Sequence, residues 1–508
     1  MNLLSSASVF SFYTLISRVL GYVRDILIAT FLGASIYADA FFVAFRLPNT
    51  FRRLFSEGTF NAAFIPSFTH EKLASKKKGK KFADEVLILL TLALLLVVLI
   101  VEIFTPYLVY LIAPGFFDNL EKFNLAVELT RITFPFLLFV SLSSFFSGIL
   151  NSNNKFAAAA AAPIILNIVL ILTLIFAYFF NLNFAKNLSY GVTFAGIIQL
   201  IFLIFVTKKF YKPSIKIKIK INSKVRFFFK KLLPSIFSSG VTQINILVGT
   251  IIASFETSAV SYLYYADRIY QINLAIAGIA IGTVSLPVLA KALKNKNILS
   301  VNKIQSKSIE LSLLLSIPAS LGLILASNEI VNALFGYGTF SEENIRITAN
   351  ALKYFGYGVP AFALIKVLSN FFFARNDTKI PFYLSSFVIL LNLSLSLSFF
   401  KEIGFIIIPI STSISTWVGV ITYIILLKRK NFLTFESLLL LNILKIAFST
   451  FLMSLFLSFG LDYFAENLDY TNKFKSVYLM IIISFVATIY LITCYLLSVL
   501  KIINYKIK

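Results

Sequence analysis

The chain has 508 residues, is 58% hydrophobic and has a mean hydropathy of +0.88. Ordinary globular chains are about 45–50% apolar, so the composition excludes a soluble domain. Its formal net charge is +24. One cysteine and one histidine exclude an internal disulfide framework, a cysteine-based metal cluster and a His-rich metal site, and they argue against a Ser-His-Asp triad. The composition therefore predicts a transporter that has no enzyme chemistry.

Apolar runs of about 20 residues, the length that a helix needs to cross the hydrocarbon core, recur along the whole chain. The first run is too long for a cleavable signal peptide and lacks a basic n-region. We therefore predict an all-α polytopic membrane protein. About fourteen transmembrane helices are expected at 8–32, 37–68, 86–113, 125–150, 157–181, 188–207, 232–255, 259–289, 308–335, 347–373, 380–400, 403–427, 437–460 and 476–500.

The positive charge is distributed unevenly between the predicted connections. If the N-terminus is cytoplasmic, the cytoplasmic connections contain thirty Lys and Arg residues and the outer connections contain six. This asymmetry follows the positive-inside rule and predicts that both termini are cytoplasmic. The basic character is thus explained by orientation and by contact with anionic membrane lipids, and it gives no support to nucleic-acid binding.

A weak internal repeat divides the predicted helices into two halves. At one constant offset, residues 28–31 match 252–255, Asn49 matches Asn273, and Lys155 matches Lys379. Parallel repeats of this kind form transporters whose substrate site lies between the halves. We predict an N-terminal lobe at 1–207 (helices 1–6), a basic cytoplasmic linker at 208–231, a C-terminal lobe at 232–430 (helices 7–12), and two further helices at 431–508.

Three predicted helices carry an arginine on a polar stripe. The stripe residues are Ser17, Arg18, Arg24 and Asp25 on helix 1; Asn49 and Arg52 on helix 2, with Asp39, Arg53 and Glu57 on an adjoining arc; and Arg268 on helix 8. Charges inside a membrane span are costly and usually face an aqueous cavity or a partner. We therefore expect these side chains to line a cavity.

Several guanidinium groups around one cavity suit a diphosphate, because arginine stays charged and forms paired hydrogen bonds to phosphate oxygens. The residues expected to balance charge or to act in gating are Asp25, Asp39, Arg53, Glu57, Asp267 and Lys366. The alternative is that the pairs Arg24–Asp25, Arg53–Glu57 and Asp267–Arg268 only stabilise helix packing.

Long motifs at these positions resemble a known family. Residues 17–25 (SRVLGYVRD) and 39–58 (DAFFVAFRLPNTFRRLFSEG) resemble the first-helix and second-helix signatures of the MurJ (MviN) family, the lipid II flippases of peptidoglycan synthesis. Shorter similarities lie at 113–116 (APGF), 133–135 (TFP), 148–151 (GILN), 264–268 (YYADR) and 376–379 (NDTK). The resemblance covers most of helices 1–12.

The resemblance implies a fold of the multidrug/oligosaccharidyl-lipid/polysaccharide exporter superfamily, with a central cationic cavity that opens alternately to the two sides of the membrane. It implies that Arg18, Arg24, Arg52 and Arg268 bind the pyrophosphate and nearby sugars of lipid II. Ser17, Asp25, Asp39, Asn49 and Glu57 match positions that act in family function or gating. Helices 13 and 14 would border a groove for the undecaprenyl tail.

The same resemblance implies a monomeric, multi-pass protein of the bacterial inner membrane that has no cofactor. Membrane potential or an ion gradient would drive transport, and the sequence does not identify the ion. Two departures from the family pattern concern gating and local shape: Gln271 replaces an acidic residue, and Ser369-Asn370-Phe371 replaces small residues and proline.

The same residues also bear on other functions. A flippase for another polyprenyl-linked oligosaccharide would share the charge pattern, and a cation-coupled drug exporter would share the architecture but not an arginine-rich cavity. A membrane glycosyltransferase would need acidic metal-binding or base residues at a membrane face, and the short loops offer no such pair. No repeated filter-like segment indicates a channel.

Overall fold

The structure, a computed structural model, describes residues 3–54, 60–214, 226, 246–434 and 437–502. It is 87% helical, with no strand among the described residues. The chain divides into two compact units, Met1–Ser261 and Tyr262–Lys508. The predicted lobe boundary at 208–231 lies mostly outside the described residues and stays a prediction.

The described part of the N-terminal unit contains the helices α1 (Leu3–Leu32), α2 (Ile36–Leu54), α3 (Phe60–Ala74), α4 (Lys76–Ile112), α5 (Leu120–Thr133), α6 (Phe136–Ser152), α7 (Phe156–Phe179) and α8 (Phe184–Thr207). Residues 246–253 are also helical. The helix α9 (Ala259–Leu274) begins at the end of this unit.

The C-terminal unit continues with a π-helical segment, Ala275–Ala280, and then α10 (Ile281–Lys294), α11 (Ile298–Leu325), α12 (Ser327–Phe335), α13 (Glu342–Phe373), α14 (Lys379–Ile403), α15 (Ile407–Arg429), α16 (Ser437–Tyr463) and α17 (Lys475–Leu496). Within the described ranges, nine helical stretches are long and apolar enough to cross a membrane. The prediction of multiple transmembrane helices is therefore confirmed, whereas the number fourteen and the cytoplasmic termini stay predictions.

Two predicted spans are each divided in the structure. The span predicted at 125–150 is broken between α5 and α6, where Pro135 precedes the first residue of α6 and cannot donate a backbone hydrogen bond. The span predicted at 308–335 is broken at Ala326, whose backbone leaves the helical region. Its first part, α11, also begins earlier than predicted, because the Asn297 side chain accepts a hydrogen bond from the N–H of Ser300.

Three more predicted spans differ from the helices observed. The span at 86–113 begins ten residues earlier, at Lys76, where the Ser75 hydroxyl accepts a hydrogen bond from the N–H of Lys77. The span at 37–68 corresponds to α2 and α3, and the residues between them are outside the described part. The span at 259–289 is interrupted by the π-helical turn.

Aromatic packing dominates the core of the N-terminal unit. Phe60, Phe64 and Phe68 on α3 are buried and stack along the helix at the spacing of one turn. Phe145 of α6 packs against Phe64 with a ring-centroid distance of 5.1 Å. Lipid tails are as apolar as these side chains, so close packing rather than removal from water holds α3 and α6 together.

The C-terminal unit has two apolar clusters. In one, α13 packs against α11 and α15 through fully buried residues such as Val367 and Phe371. In the other, α16 and α17 pack on each other and α16 packs on α11, around Leu457 and Cys494. The two helices outside the predicted repeat are therefore attached to the C-terminal unit through α11.

Candidate functional site

Arg24 is held in a buried polar network within the N-terminal unit. Its side chain is 6% exposed, and that of the neighbouring Asp25 is 4% exposed. Nε and Nη2 of Arg24 donate to Asp25 Oδ1 at 3.0 and 2.7 Å, and Nη1 donates to Asn167 Oδ1 at 2.9 Å. The guanidinium group is therefore neutralised on one edge and fixed in direction.

Asn167 of α7 is a site residue that the sequence analysis missed. Its Nδ2 donates to the backbone oxygen of Ser17 at 2.8 Å and lies 3.4 Å from the Ser17 hydroxyl. Asn167 thus links the predicted residues Ser17 and Arg24, which lie two turns apart on α1. The only signal in the sequence is that one asparagine lies inside the apolar run of α7. A polar residue at such a position is also common in helix cores that have no functional role.

Arg18 has a different environment from Arg24. Its side chain is exposed, whereas Arg24 is buried, although both were predicted to share one polar arc of the first helix. Arg18 therefore does not belong to the buried polar network that holds Arg24.

On α2, the predicted pair Asn49 and Arg52 is brought together. Arg52 Nε donates to Asn49 Oδ1 at 3.0 Å across one helical turn. The two side chains are half-buried. The predicted residues Arg53 and Glu57 lie outside the part of the chain whose side chains the structure describes.

Asp39 forms a second buried network, the Asp39 cluster, with Lys122 and Ser261. Lys122 Nζ donates to Asp39 Oδ2 at 2.6 Å, and the Ser261 N–H and hydroxyl donate to Asp39 Oδ1 at 2.8 and 2.5 Å. Asp39 is fully buried, and Lys122 is 4% exposed and lies 4.0 Å from the centroid of the Phe116 ring. Lys122 is one of the six basic residues in the predicted outer connections, and that position gives no signal of its role as the partner of Asp39.

Arg268 of α9 is paired with an aromatic residue. Its Nη2 and Nε donate to the Tyr264 hydroxyl at 3.0 and 3.3 Å, and its guanidinium carbon lies 5.1 Å from the Tyr264 ring centroid. Asp267 accepts a hydrogen bond from Gln271, one turn further along the same helix. The amide of Gln271 is therefore a partner of Asp267, at the position where the family pattern has an acidic residue.

Lys366 of α13 is exposed, and its Nζ lies 5.5 Å from the Phe362 ring centroid. One turn later, Asn370 Nδ2 donates to the backbone oxygen of Gly282 at 2.6 Å and contacts the Ser285 hydroxyl at 3.3 Å. The departure at Ser369-Asn370-Phe371 thus provides a hydrogen bond between α13 and α10.

The predicted site residues that the structure describes have the following local partners: Arg24 has Asp25 and Asn167, Asp39 has Lys122 and Ser261, Arg52 has Asn49, and Arg268 has Tyr264. The binding of one diphosphate by Arg18, Arg24, Arg52 and Arg268 together stays a prediction. Among the described residues, no group of three or more His, Cys, Asp and Glu side chains could hold a metal ion.

Comparison with known proteins gives the family. Residues 28–479 match the family model described as lipid II flippase MurJ. A probable lipid II flippase MurJ of Rickettsia prowazekii is 37% identical over 99% of both chains. One from Rhizobium tropici is 40% identical over 83% of this chain and 80% of that protein.

Solved structures agree with these relatives. A lipid II flippase MurJ in an inward closed conformation has a TM-score of 0.81 and 28% identity, and the match covers 96% of this chain and 98% of that one. A multidrug resistance MATE family transporter of the MOP superfamily has a TM-score of 0.66 at 15% identity, over 84% of this chain and 98% of that one, which shows a likeness of fold alone.

The apolar helices and these relatives identify a multi-pass membrane protein. The family is one of transporters, not enzymes, and its substrate is lipid II. The chain belongs to the MurJ family of lipid II flippases.

Proposed function

We propose that this protein carries lipid II, the undecaprenyl-pyrophosphate-linked peptidoglycan precursor, from the cytoplasmic to the periplasmic leaflet of the bacterial inner membrane. The observation that carries the proposal is the match to the MurJ family across residues 28–479. Charge chemistry alone would suit any polyprenyl diphosphate, so the family supplies the choice of substrate. Transport would proceed by alternating access, without a covalent step.

Arg24 supports the proposed binding of the diphosphate. A guanidinium group has five N–H donors, and three of those of Arg24 donate to Asp25 and Asn167. The remaining two can donate to one phosphate oxygen pair in the bidentate manner typical of arginine. Because the group is already fixed in direction, little side-chain entropy would be lost when the ligand binds.

Arg18, Arg52 and Arg268 are proposed to complete the anion site. Arg52 donates to Asn49 and Arg268 donates to Tyr264, so a side chain one turn away on the same helix orients each guanidinium group. A guanidinium group that is already oriented loses little side-chain entropy when it binds an anion, which supports this assignment.

The Asp39 cluster is proposed to act in gating. The carboxylate of Asp39 accepts hydrogen bonds from Lys122 and from both donors of Ser261, at the beginning of α9. Opening would separate Ser261 from Asp39 while Lys122 keeps the carboxylate neutralised. A buried unpaired charge is costly, and with Lys122 in place a conformational change of α9 would not create one.

The remaining parts of the proposal concern the lipid tail, the oligomeric state and the source of energy. The apolar faces of α16 and α17, which include exposed residues such as Phe448 and Phe485, are proposed to border the undecaprenyl tail and membrane lipids. The protein is proposed to act as a monomer. Membrane potential could supply energy, since moving one charge through 100 mV is worth about 2.3 kcal/mol.

The proposal is tested by expressing the chain in bacteria depleted of their own lipid II flippase. We expect restored growth and restored access of external reagents to lipid II. A well-inserted chain that leaves lipid II inaccessible, but moves another polyprenyl-diphosphate sugar in vesicles, would replace lipid II with that substrate. The alternative function, a drug exporter, predicts cation efflux instead. A cavity lined by arginines would repel a cationic drug, which argues against this alternative.

A further inference from the structure

The π-helical turn Ala275–Ala280 joins α9 to α10, which otherwise form one helix from Ala259 to Lys294. A π turn closes its hydrogen bonds to the fifth residue along the chain instead of the fourth, so it takes up one more residue than an α turn. Such turns are rare and occur frequently at functional sites. Arg268, a residue of the proposed anion site, lies about two helical turns before this one.

Two neighbouring helices of the C-terminal unit hold the π turn by hydrogen bonds to its carbonyl groups and to those just after it. The Ser312 hydroxyl of α11 donates to the carbonyl of Ala277 at 3.3 Å. Asn370 Nδ2 of α13 donates to the carbonyl of Gly282 at 2.6 Å. Backbone groups inside a membrane need partners within the protein, so these side chains stabilise a wide turn at this position.

The helices on both sides of the π turn contact α13. Tyr270 of α9 is buried and stacks on Phe355 of α13 with a ring-centroid distance of 5.0 Å, and Gly282 of α10 is bonded to Asn370 of α13. At about 100° per residue, a continuous α-helix would place Tyr270 and Gly282 about 120° apart, so both could not face α13. The additional residue in the π turn reduces this angle to about 20°.

The same additional residue determines the direction of Arg268. In a continuous α-helix, Arg268 would lie about 40° from Gly282 and would therefore face α13. With the π turn the angle is about 140°, so Arg268 lies on the opposite side of the helix. The burial of α10 agrees with this: Thr283, on the side of Arg268, is exposed, whereas Ser285 and Leu289, on the α13 side, are buried.

We propose that the π-helical turn positions Arg268 for the diphosphate, because it lets α9 and α10 share one packing face on α13 and turns the guanidinium group away from that face. The inference rests on the proposed role of Arg268 in the anion site. Tyr264, which accepts hydrogen bonds from Arg268, lies on the same helix and turns with it. The π turn therefore acts by setting a direction, and no bending of the turn during transport is required.

The test changes the length of the helix by one residue in either direction and titrates the purified full chain with lipid II. Deletion of Ala280, an exposed residue, converts the π turn into an α turn and keeps Arg268 and Gly282 in their present relative directions. We expect this chain to bind lipid II with wild-type affinity and to melt at or above the wild-type temperature. One alanine inserted after Ala280 turns Arg268 by about a further 100°, and the affinity should fall about 10- to 100-fold.

Thiol labelling gives a second measurement that does not need the inserted chain to fold. Cys494→Ser makes the chain free of cysteine, and Ile272→Cys then places one thiol a turn after Arg268, on the same side of α9. Lipid II should slow its reaction with a hydrophilic thiol reagent equally in the full-length chain and in the chain that lacks Ala280.

Three results would overturn the inference: a deletion chain that does not fold or does not bind lipid II, an inserted chain that binds it like wild type, or labelling at Ile272→Cys that lipid II does not slow. The first would mean that the wide turn itself is needed, and the other two that the direction of α9 is not. Failure of the wild-type chain to bind lipid II at all would instead reject the proposed function.

Discussion

Asn167 is the residue whose role in the proposed site depends most on tertiary structure. It holds the Arg24 guanidinium and the backbone of Ser17 at the same time. Hydrogen bonds to charged groups contribute about 1.5–3 kcal/mol. We expect Asn167→Leu to weaken lipid II binding about 10- to 100-fold, as measured by titration of the purified protein.

A matched control for Asn167→Leu is Thr173→Val on the same helix. The Thr173 hydroxyl donates only to the carbonyl of Val169 one turn earlier, so its removal leaves Arg24 untouched. Binding should stay at the wild-type level in this variant. Equal losses in the two variants would show that α7 tolerates no polar change, and the positioning role of Asn167 would be rejected.

Lys122 and Asp39 provide a second test at the scale of single residues. Lys122→Met leaves a fully buried carboxylate without its cation. Removal of one partner of a buried pair costs about 3–5 kcal/mol, so we expect a large fall in thermal stability in detergent. The double variant Asp39→Asn/Lys122→Met should recover most of it. Additive losses in the double variant would show that the two side chains do not interact.

Asn167 and Lys122 show which site residues could not be predicted from the sequence. The arginines were found because helical periodicity places a charge on a recognisable face, and the family motifs contain them. Asn167 and Lys122 act through partners 143 and 83 residues away. No local pattern records such a contact, and Lys122 carries the charge and loop position of an ordinary surface lysine.

The turn that contains Gly115 packs closely against the backbone at residues 254–255. An added Cβ at Gly115 would lie 2.5 Å from the backbone of Ser254 and Phe255, and the N–H of Gly115 donates to the Ser254 hydroxyl at 3.0 Å. Gly115→Ala must displace backbone, so we expect destabilisation of about 1–3 kcal/mol, seen as a lower melting temperature.

Gly322 of α11 provides the comparison for that substitution. No atom lies within 4 Å of a Cβ built on it. Because alanine is favoured over glycine in a helix by about 1 kcal/mol, Gly322→Ala should be neutral or slightly stabilising. If both substitutions lowered the melting temperature equally, the close approach at Gly115 would not be the cause.

Tyr211 anchors the beginning of the predicted basic linker. Its hydroxyl donates to Asp84 Oδ1 at 2.5 Å, and the N–H of Ser214 donates to the same oxygen at 3.1 Å. Burial, together with this hydrogen bond, raises the pKa of the Tyr211 phenol well above its usual range. The phenol therefore remains protonated, and a donor, throughout the physiological pH range.

Tyr211→Phe should release this anchor and speed trypsin cleavage within 208–231, measured on membrane vesicles that expose this segment. Tyr383→Phe, at an exposed tyrosine of α14, is the control and should be cleaved at the wild-type rate. Cleavage of Tyr211→Phe at that same rate would mean that the Asp84 contact does not restrain the segment.

At the scale of the whole molecule, hydropathy was enough to predict a polytopic helical protein, because the membrane requires long helices with satisfied backbone groups. Helix ends were less predictable. The beginning of α4 depends on a Ser75 cap, and the break before α6 depends on Pro135, features that a hydropathy window does not weigh.

The most direct test of the central claim measures externally accessible lipid II in cells depleted of their own flippase. Arg18→Ala and Arg268→Ala are compared with wild type at matched membrane abundance, with Arg346→Ala, an exposed basic residue, as the control. We predict that wild type and the control expose lipid II, and that the two other variants insert normally but leave it inaccessible. If either Arg18→Ala or Arg268→Ala exposed as much lipid II as wild type does, an arginine-lined path for the diphosphate would be contradicted.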